Sequence, residues 1–285
     1  MPVRMPGRVS VEENVAFGTG GGRALHCDVY LPPDHLPGAP GAPGAPGAPG
    51  APEGAGRAAI LLLHGGGWMN GDRAQLRGYG IQLARYGFVC VCPEYRLSGE
   101  STWPAQVHDV KAALRWLRAN ADRLGVDATR ICVSGNSAGA HLALMLGALR
   151  DGELEGEGGH AGVSAQCAAV VAIYPPTQLR VTHPEDPIGR LLGGNVPREI
   201  EEQASPLAYA RADFPPTMLV HGNADSIVPV QASLEMYAAL AKAGAAVEMH
   251  IYDGVPHAFD TDVEFGRQVT DLIALFIDRK VCRAG

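Results

Sequence analysis

The sequence predicts an α/β fold with a mostly parallel central sheet of about eight strands, helices on both faces and a small lid insertion. Short apolar runs rich in β-branched residues alternate along the chain with longer amphipathic or apolar runs. That alternation is typical of parallel sheets covered on both sides. Two extended segments at the start, residues 9–17 and 23–31, predict an antiparallel edge of the sheet. The length of 285 residues is compatible with one domain, which we assign to residues 1–285.

The remaining elements follow in order from local signals. Pro104 suits the first turn of a helix and Gly125 follows its end, which predicts a helix over residues 104–124. Residues 138–150 are apolar on nearly all sides, which predicts a central buried helix. The other predicted helices are residues 73–86, 233–243 and 263–279, and the other predicted strands are residues 58–63, 88–92, 130–133, 168–174, 217–221 and 247–252.

Two segments interrupt the alternation. Residues 38–52 are five tandem Gly-Ala-Pro triplets, which predict an exposed loop of polyproline II character. Residues 175–213 are longer than ordinary connections in compact domains, which predicts a lid or cap. A surface excursion without a role in any site is the alternative for this second segment.

Composition excludes several classes of protein. Hydrophobic residues make up 46% of the chain and charged residues 19%, which is typical of globular proteins. The net charge of −7 and the lack of a basic stripe argue against nucleic-acid binding. Apolar runs are shorter than the ~20 residues of a membrane span, and no apolar core follows the charged start, so we expect a cytoplasmic protein. The six cysteines lack a C-x-x-C pair and the ten histidines lack H-x-x-x-H spacing, so we expect free thiols, no metal and no cofactor.

The most informative motif is Gly-Asn-Ser-Ala-Gly at residues 135–139, which reads G-x-S-x-G. A β-branched run leads into it and the apolar helical run leads out, which is the context of a nucleophile elbow. Glycines are needed on such a turn because a Cβ would collide with the neighbouring strand and helix. The hydroxyl of Ser137 is then exposed at a helix N-terminus, where the dipole favours negative charge. A tight turn with a capping serine is the alternative.

Further motifs favour the chemical interpretation. His-Gly-Gly-Gly-Trp at residues 64–68 follows a predicted strand, and Asp225 and His257 follow two later strands. A serine hydroxyl needs a neighbouring base, an imidazole can take and return its proton, and a carboxylate fixes the imidazole tautomer. The glycine run lets backbone N–H groups approach a developing oxyanion. A phosphate-binding loop is disfavoured because no G-K-[ST] follows.

With this order of serine, aspartate and histidine, the chain resembles the α/β-hydrolase superfamily along nearly its whole length. Within it, the chain looks like the hormone-sensitive-lipase-like branch and bacterial feruloyl- and acetylxylan-esterase-like carboxylesterases. Besides residues 64–68 and Gly71-Asp72, the matching stretches are Glu-Tyr-Arg-Leu at 94–97, Leu-Leu-Gly-Gly at 191–194 and Ala-Ser-Pro-Leu at 204–207.

The resemblance implies a role for each site residue. Ser137 is the nucleophile, His257 the general base and acid, and Asp225 the group that orients the imidazole. The backbone N–H groups of Gly66, Gly67 and Ala138 form the oxyanion hole. The chain departs from its relatives at Asn136 and Ala140, and neither departure touches the three catalytic positions.

We therefore expect a serine hydrolase that cleaves small-molecule carboxylic esters of short to medium acyl chains through an acyl-enzyme. The same residues would serve an arylformamidase-like or peptidase-like amide hydrolase, an acyltransferase or a lactonase. A ligand-binding receptor on a hydrolase scaffold is the alternative from outside enzymes. Association into a homo-oligomer stays open. We expect the repeat at residues 38–52 to lie at the sheet edge opposite the catalytic loops.

Overall fold

A computed structural model describes residues 3–35 and 56–283, so the repeat at residues 38–52 lies outside the described residues. Within them the strands form one eight-stranded sheet in the order β1-β2-β4-β3-β5-β6-β7-β8. The strands are β1 (Ser10–Gly20), β2 (Arg23–Leu31), β3 (Arg57–Leu63), β4 (Val89–Pro93), β5 (Val126–Asn136), β6 (Val170–Ile173), β7 (Thr217–Gly222) and β8 (Val247–Tyr252). The helices are α1 (Arg77–Ala84), α2 (Ala105–Ala119), α3 (Ala138–Ala148), α4 (Pro187–Leu192), α5 (Arg198–Gln203), α6 (Gln231–Ala243) and α7 (Val263–Ile277).

The predicted fold class is confirmed. Strand β2 runs antiparallel to β1 and β4, and the other neighbouring pairs are parallel. Alternate residues of each strand face opposite sides of the sheet. On β3, Leu61 joins a core covered by α2, α3 and α6, whereas Ile60 joins a second core covered by α1 and α7. The sheet is therefore buried on both faces, as its continuous apolar strands require.

Two predicted helices are shorter than their sequence patterns. The helix predicted over residues 104–124 ends at Ala119, and turns continue to Gly125, which has a φ of 62°. The helix predicted over residues 73–86 begins only at Arg77, because the side chain of Asp72 accepts a hydrogen bond from the Ala74 N–H and forms a separate turn there. Both differences lie at helix ends, where local side-chain bonds compete with helical ones.

The flanks of the repeat lie at one edge of the sheet. Tyr30 pairs with Cys90 near the start of β4, and Arg57 pairs with Val126 at the start of β5. Both flanks therefore lie at the amino-terminal ends of the parallel strands, opposite the edge where β5 reaches Asn136. The remoteness of the repeat itself from the site stays a prediction.

The turn between β5 and α3 is packed tightly against β3. A Cβ on Gly139 would overlap the carbonyl oxygen of Leu63 and lie 2.5 Å from that of His64. A Cβ on Gly135 would lie 2.8 Å from the Leu63 oxygen and overlap the backbone of Gly139. Glycine is required here because rigid backbone, and not a movable side chain, occupies the space.

We predict that Gly139→Ala lowers the free energy of unfolding by about 2 kcal/mol or more, because the backbone of β3 or α3 must shift. Gly78→Ala is the matched control, since Gly78 is an exposed residue of α1 and a Cβ there would meet nothing within 4 Å. The control should be neutral or stabilise the protein by up to about 1 kcal/mol. Urea unfolding at pH 7 measures both, and equal effects would contradict the packing argument.

Helix α3 is joined to the segment 175–213 by a buried histidine. His141 Nε2 lies 2.7 Å from the Ala204 carbonyl oxygen and donates to it, while the Nδ1 atom has no hydrogen-bond partner among the described residues. The ring contacts the edge of Trp68 at a centroid distance of 5.2 Å. Burial lowers the pKa of His141 from 6.5 to about 4, so the imidazole is neutral in the folded protein at neutral pH.

This histidine makes stability dependent on pH. Between pH 6.5 and about 4 the unfolded chain binds a proton at His141 that the folded protein does not, so stability falls as the pH falls through this window. We predict that the loss between pH 7 and pH 5 is about 2 kcal/mol smaller in His141→Gln than in the unsubstituted protein. Urea unfolding at the two pH values measures it. The variant keeps a residual loss, because burial also lowers the pKa of His64 and His221, and an unchanged loss would refute the assignment.

Candidate active site

Ser137 lies at the turn between β5 and α3 in a strained conformation. Its φ of 52° and ψ of −119° are unusual for a residue with a Cβ and cost of order 1–3 kcal/mol. Its N–H donates to the Ile173 carbonyl at 2.9 Å, and its own carbonyl accepts from the His141 N–H at 3.0 Å. Backbone bonds to β6 and α3 therefore hold the strain and direct the hydroxyl into a cavity at the carboxyl edge of the sheet.

The structure brings the three predicted side chains together. His257 Nε2 lies 3.0 Å from Ser137 Oγ, and His257 Nδ1 lies 2.6 Å from Asp225 Oδ2. With the carboxylate accepting from Nδ1–H, the lone pair of Nε2 faces the serine hydroxyl. The arrangement can take a proton from Ser137 and stabilise the imidazolium that results.

Asp225 is held by more than its histidine. Its side chain is fully buried, and Oδ1 accepts hydrogen bonds from the N–H groups of Ile227 and Val228, both at 2.9 Å. The Oδ2 atom remains for His257. The loop after β7 thus fixes which carboxylate oxygen faces the imidazole, and it satisfies the other oxygen with backbone donors.

Sequence reasoning missed the residue that ties the aspartate loop to the histidine loop. Asn223 donates from Nδ2 to Asp253 Oδ1 at 2.9 Å and accepts from the Gly254 N–H at 2.7 Å. Nearby, the Ala224 N–H donates to the Val255 carbonyl at 3.2 Å. The sequence shows an asparagine two residues before Asp225. Only the pairing of β7 with β8 reveals which groups this side chain contacts.

His221 lies at the end of β7 and supports the aspartate loop. Nε2 lies 2.9 Å from the Val228 carbonyl and 3.3 Å from Asp225 Oδ2, and Nδ1 lies 2.7 Å from Ser233 Oγ. Donation from Nε2–H to the carbonyl leaves Nδ1 to accept from the serine hydroxyl. Burial lowers the pKa of His221, so it is neutral at neutral pH.

The glycine loop after β3 presents backbone N–H groups to the same cavity. Gly66 and Gly67 have φ values of 111° and 61°, and a Cβ on Gly66 would overlap the Asn70 carbonyl oxygen. Among the described residues no protein group accepts from the N–H of Gly66 or Gly67. Ala138 is the first residue of α3 and lines the cavity beside them. The three predicted donors are therefore next to Ser137 and can serve an oxyanion.

The cavity has a volume of about 770 Å³ and is mostly apolar. Its apolar wall includes Trp68, Pro187, Ile188, Val228 and Pro229. The segment 175–213 carries α4 and α5 and contributes wall residues from Pro176 to Ile188. Trp103 is not among the residues that line the cavity. It packs in the core, and its Nε1–H donates to Gln203 Oε1 at 3.0 Å.

In residues 3–35 and 56–283, side chains of His, Cys, Asp and Glu form no group of three that could hold a metal ion. None of the described helices combines the length and the apolar character that crossing a bilayer requires.

Two esterases of known name are similar to this chain in sequence. The chain is 30% identical to esterase LipQ of Mycobacterium tuberculosis over 277 residues, which cover 93% of this chain and 61% of the relative. It is 31% identical to esterase LipC of the same organism, over 77% of this chain and 58% of the relative. The chain thus spans about three fifths of the length of these curated relatives.

Solved structures match the chain from end to end. Thermogutta terrifontis esterase 2 in its apo form is 28% identical and has a TM-score of 0.78, with all of this chain and 98% of that chain covered. A truncated carbohydrate esterase from gut microbiota is 25% identical and has a TM-score of 0.77, with coverage of 94% and 96%. These neighbours confirm the predicted α/β-hydrolase resemblance. The family model BD-FAE matches residues 50–240, more than half of the sequence, and the chain therefore belongs to the BD-FAE family.

Proposed function

We propose that the protein is a carboxylic-ester hydrolase that acts on short to medium acyl esters. The observation that carries the proposal is the continuous set of hydrogen bonds from Asp225 through His257 to Ser137, at the wall of a mostly apolar cavity. LipQ and LipC are named esterases, and esterase 2 of T. terrifontis has been solved with propionate and with butyrate bound. Those acids support a preference for short acyl groups here.

In the acylation step, Ser137 Oγ forms a bond to the carbonyl carbon of the ester while its proton moves to His257 Nε2. The carbonyl electron pair becomes an oxyanion in the tetrahedral intermediate. Collapse of this intermediate breaks the bond to the alkoxy oxygen. That oxygen takes the proton from His257 and leaves as an alcohol, and the acyl group stays on Ser137.

In the deacylation step, a water molecule takes the place of the alcohol. His257 accepts a proton from the water while the water oxygen bonds to the acyl carbon. The second tetrahedral intermediate collapses, the bond to Ser137 Oγ breaks, and Oγ recovers its proton from His257. The products are a carboxylic acid and the free enzyme.

Both intermediates carry an oxyanion beside the N–H groups of Gly66, Gly67 and Ala138. Donors that are already oriented in a site with little water stabilise such charge by roughly 3 kcal/mol each. Glycine at 66 and 67 allows backbone conformations that direct the donors into the cavity. The proposed oxyanion site is thus a set of neutral backbone donors.

Amide hydrolysis, acyl transfer and lactone hydrolysis remain competing activities, because they use the same groups and differ in the leaving group or the acceptor. Parallel assays with p-nitrophenyl butyrate and an N-formyl anilide separate ester from amide chemistry. The receptor alternative predicts no turnover of either. A cytoplasmic location and the lack of nucleic-acid, metal and cofactor binding stay predictions from the sequence, and the oligomeric state stays open.

The charges on the cavity wall narrow the substrate class. The described residues that line the cavity include the carboxylates Asp186 and Glu235, but no lysine or arginine. Burial alone would raise the pKa of Asp186, but hydrogen bonds from Thr182 and from the Gly189 N–H lower it below its ordinary value. No ion pair to Glu235 forms within residues 3–35 and 56–283. An ester that carries its own carboxylate would meet like charges and no partner, so we infer neutral or cationic substrates.

We predict that Ser137→Ala lowers turnover of p-nitrophenyl butyrate by roughly 10³-fold or more, because only binding and the oxyanion donors remain. A fluorophosphonate should label the unsubstituted protein and not the variant. Ser10→Ala, at an exposed position at the start of β1, is the control and should keep full turnover and labelling. If Ser137→Ala retained turnover, the mechanism with Ser137 as the nucleophile would be wrong.

We predict that Glu235→Gln raises kcat/KM for mono-(p-nitrophenyl) succinate by about fivefold and changes that for p-nitrophenyl butyrate by less than about twofold. An exposed like charge costs up to about 1 kcal/mol, and only the succinate ester carries one. Glu264→Gln, an equally exposed substitution in the first turn of α7, is the control and should change neither value. Equal changes for both esters would rule out charge selection by Glu235.

A further inference from the structure

The turn that carries His257 is tied to the core by a buried carboxylate. Asp260 lies in a short 3₁₀ turn, Phe259–Thr261, directly after His257 and Ala258. The residue is only 7% exposed. Its Oδ2 accepts from the Tyr79 hydroxyl at 2.8 Å, and its Oδ1 accepts from the Tyr174 hydroxyl. No Lys or Arg of the described chain forms an ion pair with this carboxylate. Two neutral phenols thus hold a buried charge.

Tyr174 joins this carboxylate to the imidazole. It follows β6 directly, and its ring packs against the His257 ring at a centroid distance of 4.6 Å. Its N–H donates to the Val220 carbonyl at 2.7 Å, which fixes the backbone in spite of a φ of 42°. The same side chain therefore touches the imidazole with its ring and holds Asp260 with its hydroxyl.

Both phenols are donors at neutral pH. Burial raises the pKa of Tyr174 and of Tyr79, and the charge of the neighbouring Asp260 raises each of them further. Each hydroxyl therefore keeps its proton and points it at the carboxylate. A charge-assisted hydrogen bond of this kind is stronger than a neutral one.

Packing and side-chain hydrogen bonds hold the turn together. Phe259 is buried against Tyr252 and Tyr174, which anchors one side. On the other side, Asp260 and Thr261 line a second cavity of about 550 Å³ between α1 and α7. The backbone of Asp260 also packs against Gly266 of α7, and the two directional bonds to its side chain add to this packing in setting the rotation of the turn.

We propose that Asp260 is a positioning residue that, through Tyr174, sets the imidazole of His257 against Ser137. The proposal rests on the proposed function, because it concerns the geometry of the same proton transfer. A displacement of about 1 Å from productive geometry can cost on the order of 10²-fold in rate. Asp260 is not among the described residues that line the cavity beside Ser137, so its effect falls on the chemical step and not on ester binding.

Asp260→Asn tests the carboxylate with almost no change of volume. Its amide group can accept from one phenol only, and its NH₂ faces the other hydroxyl. We expect kcat for p-nitrophenyl butyrate to fall by about 10- to 100-fold while KM changes by less than about threefold. Tyr174→Phe removes a single hydroxyl and should lower kcat by about tenfold, which keeps the test available should Asp260→Asn fail to fold.

The chain offers a matched control at a remote tyrosine–aspartate pair. The Tyr86 hydroxyl donates to Asp271 Oδ1 at 2.8 Å, next to Arg4. Tyr86→Phe removes the same kind of bond, and Asp271→Asn also removes an ion pair with Arg4, so both should lower Tm without lowering kcat per active site. All rates are divided by the number of sites that react with a fluorophosphonate, which counts folded, competent protein.

Two outcomes separate the proposed esterase function from the proposed positioning role of Asp260. If the unsubstituted protein hydrolyses the ester and both Asp260→Asn and Tyr174→Phe match its kcat per site, the positioning role is wrong and the function stands. If the unsubstituted protein hydrolyses no ester, the function is wrong, and the rate at which the phosphonate labels Ser137 still tests positioning. That rate should fall by about tenfold in Tyr174→Phe and stay unchanged in Tyr86→Phe, and equal rates in the two variants would overturn the role.

Discussion

The close approach of the β5–α3 turn to β3 is the constraint on which the site depends. The carbonyl oxygens of Leu63 and His64 occupy the space that side chains at Gly135 and Gly139 would need. The same contact places the end of β3, and with it the loop through Gly66 and Gly67, beside Ser137. One backbone contact thus brings the nucleophile and the proposed oxyanion donors together. Gly135 and Gly139 allow this contact, so they help to place both groups.

The two other members of the site reach Ser137 because β7 and β8 pair in parallel and end together. Asn223 joins the loops that follow them, His221 supports the first loop, and Tyr174 supports the second. His221 lies beside the carboxylate of Asp225, and Tyr174 packs against the imidazole of His257. The imidazole is therefore held by directional contacts, as general-base catalysis by a residue on a loop requires.

The alternation of strands and helices and the spacing of the motifs were sufficient to predict the fold and to name Ser137, Asp225 and His257 as partners. Helix ends were less predictable. The Ala74 N–H donates to the side chain of Asp72, and this bond competes with a helical backbone bond. The pattern of apolar residues does not show which of the two bonds forms. Asn223, Tyr174 and Asp260 could not be found from the sequence. Their roles arise from pairs 30 to 181 positions apart in the chain, and only the strand order brings these pairs into contact.

Neutral donors around the site have a physical consequence. An arginine in place of Tyr79 or Tyr174 would bind Asp260 more strongly, but it would also place a cation near His257 and oppose formation of the imidazolium. Phenols hold the carboxylate without adding positive charge, and backbone N–H groups do the same for an oxyanion. Asp225 accepts from the imidazole and stabilises the imidazolium that forms during proton transfer. Among the described wall residues there is no lysine or arginine, and their lack is consistent with a site in which the positive charge forms on the imidazole.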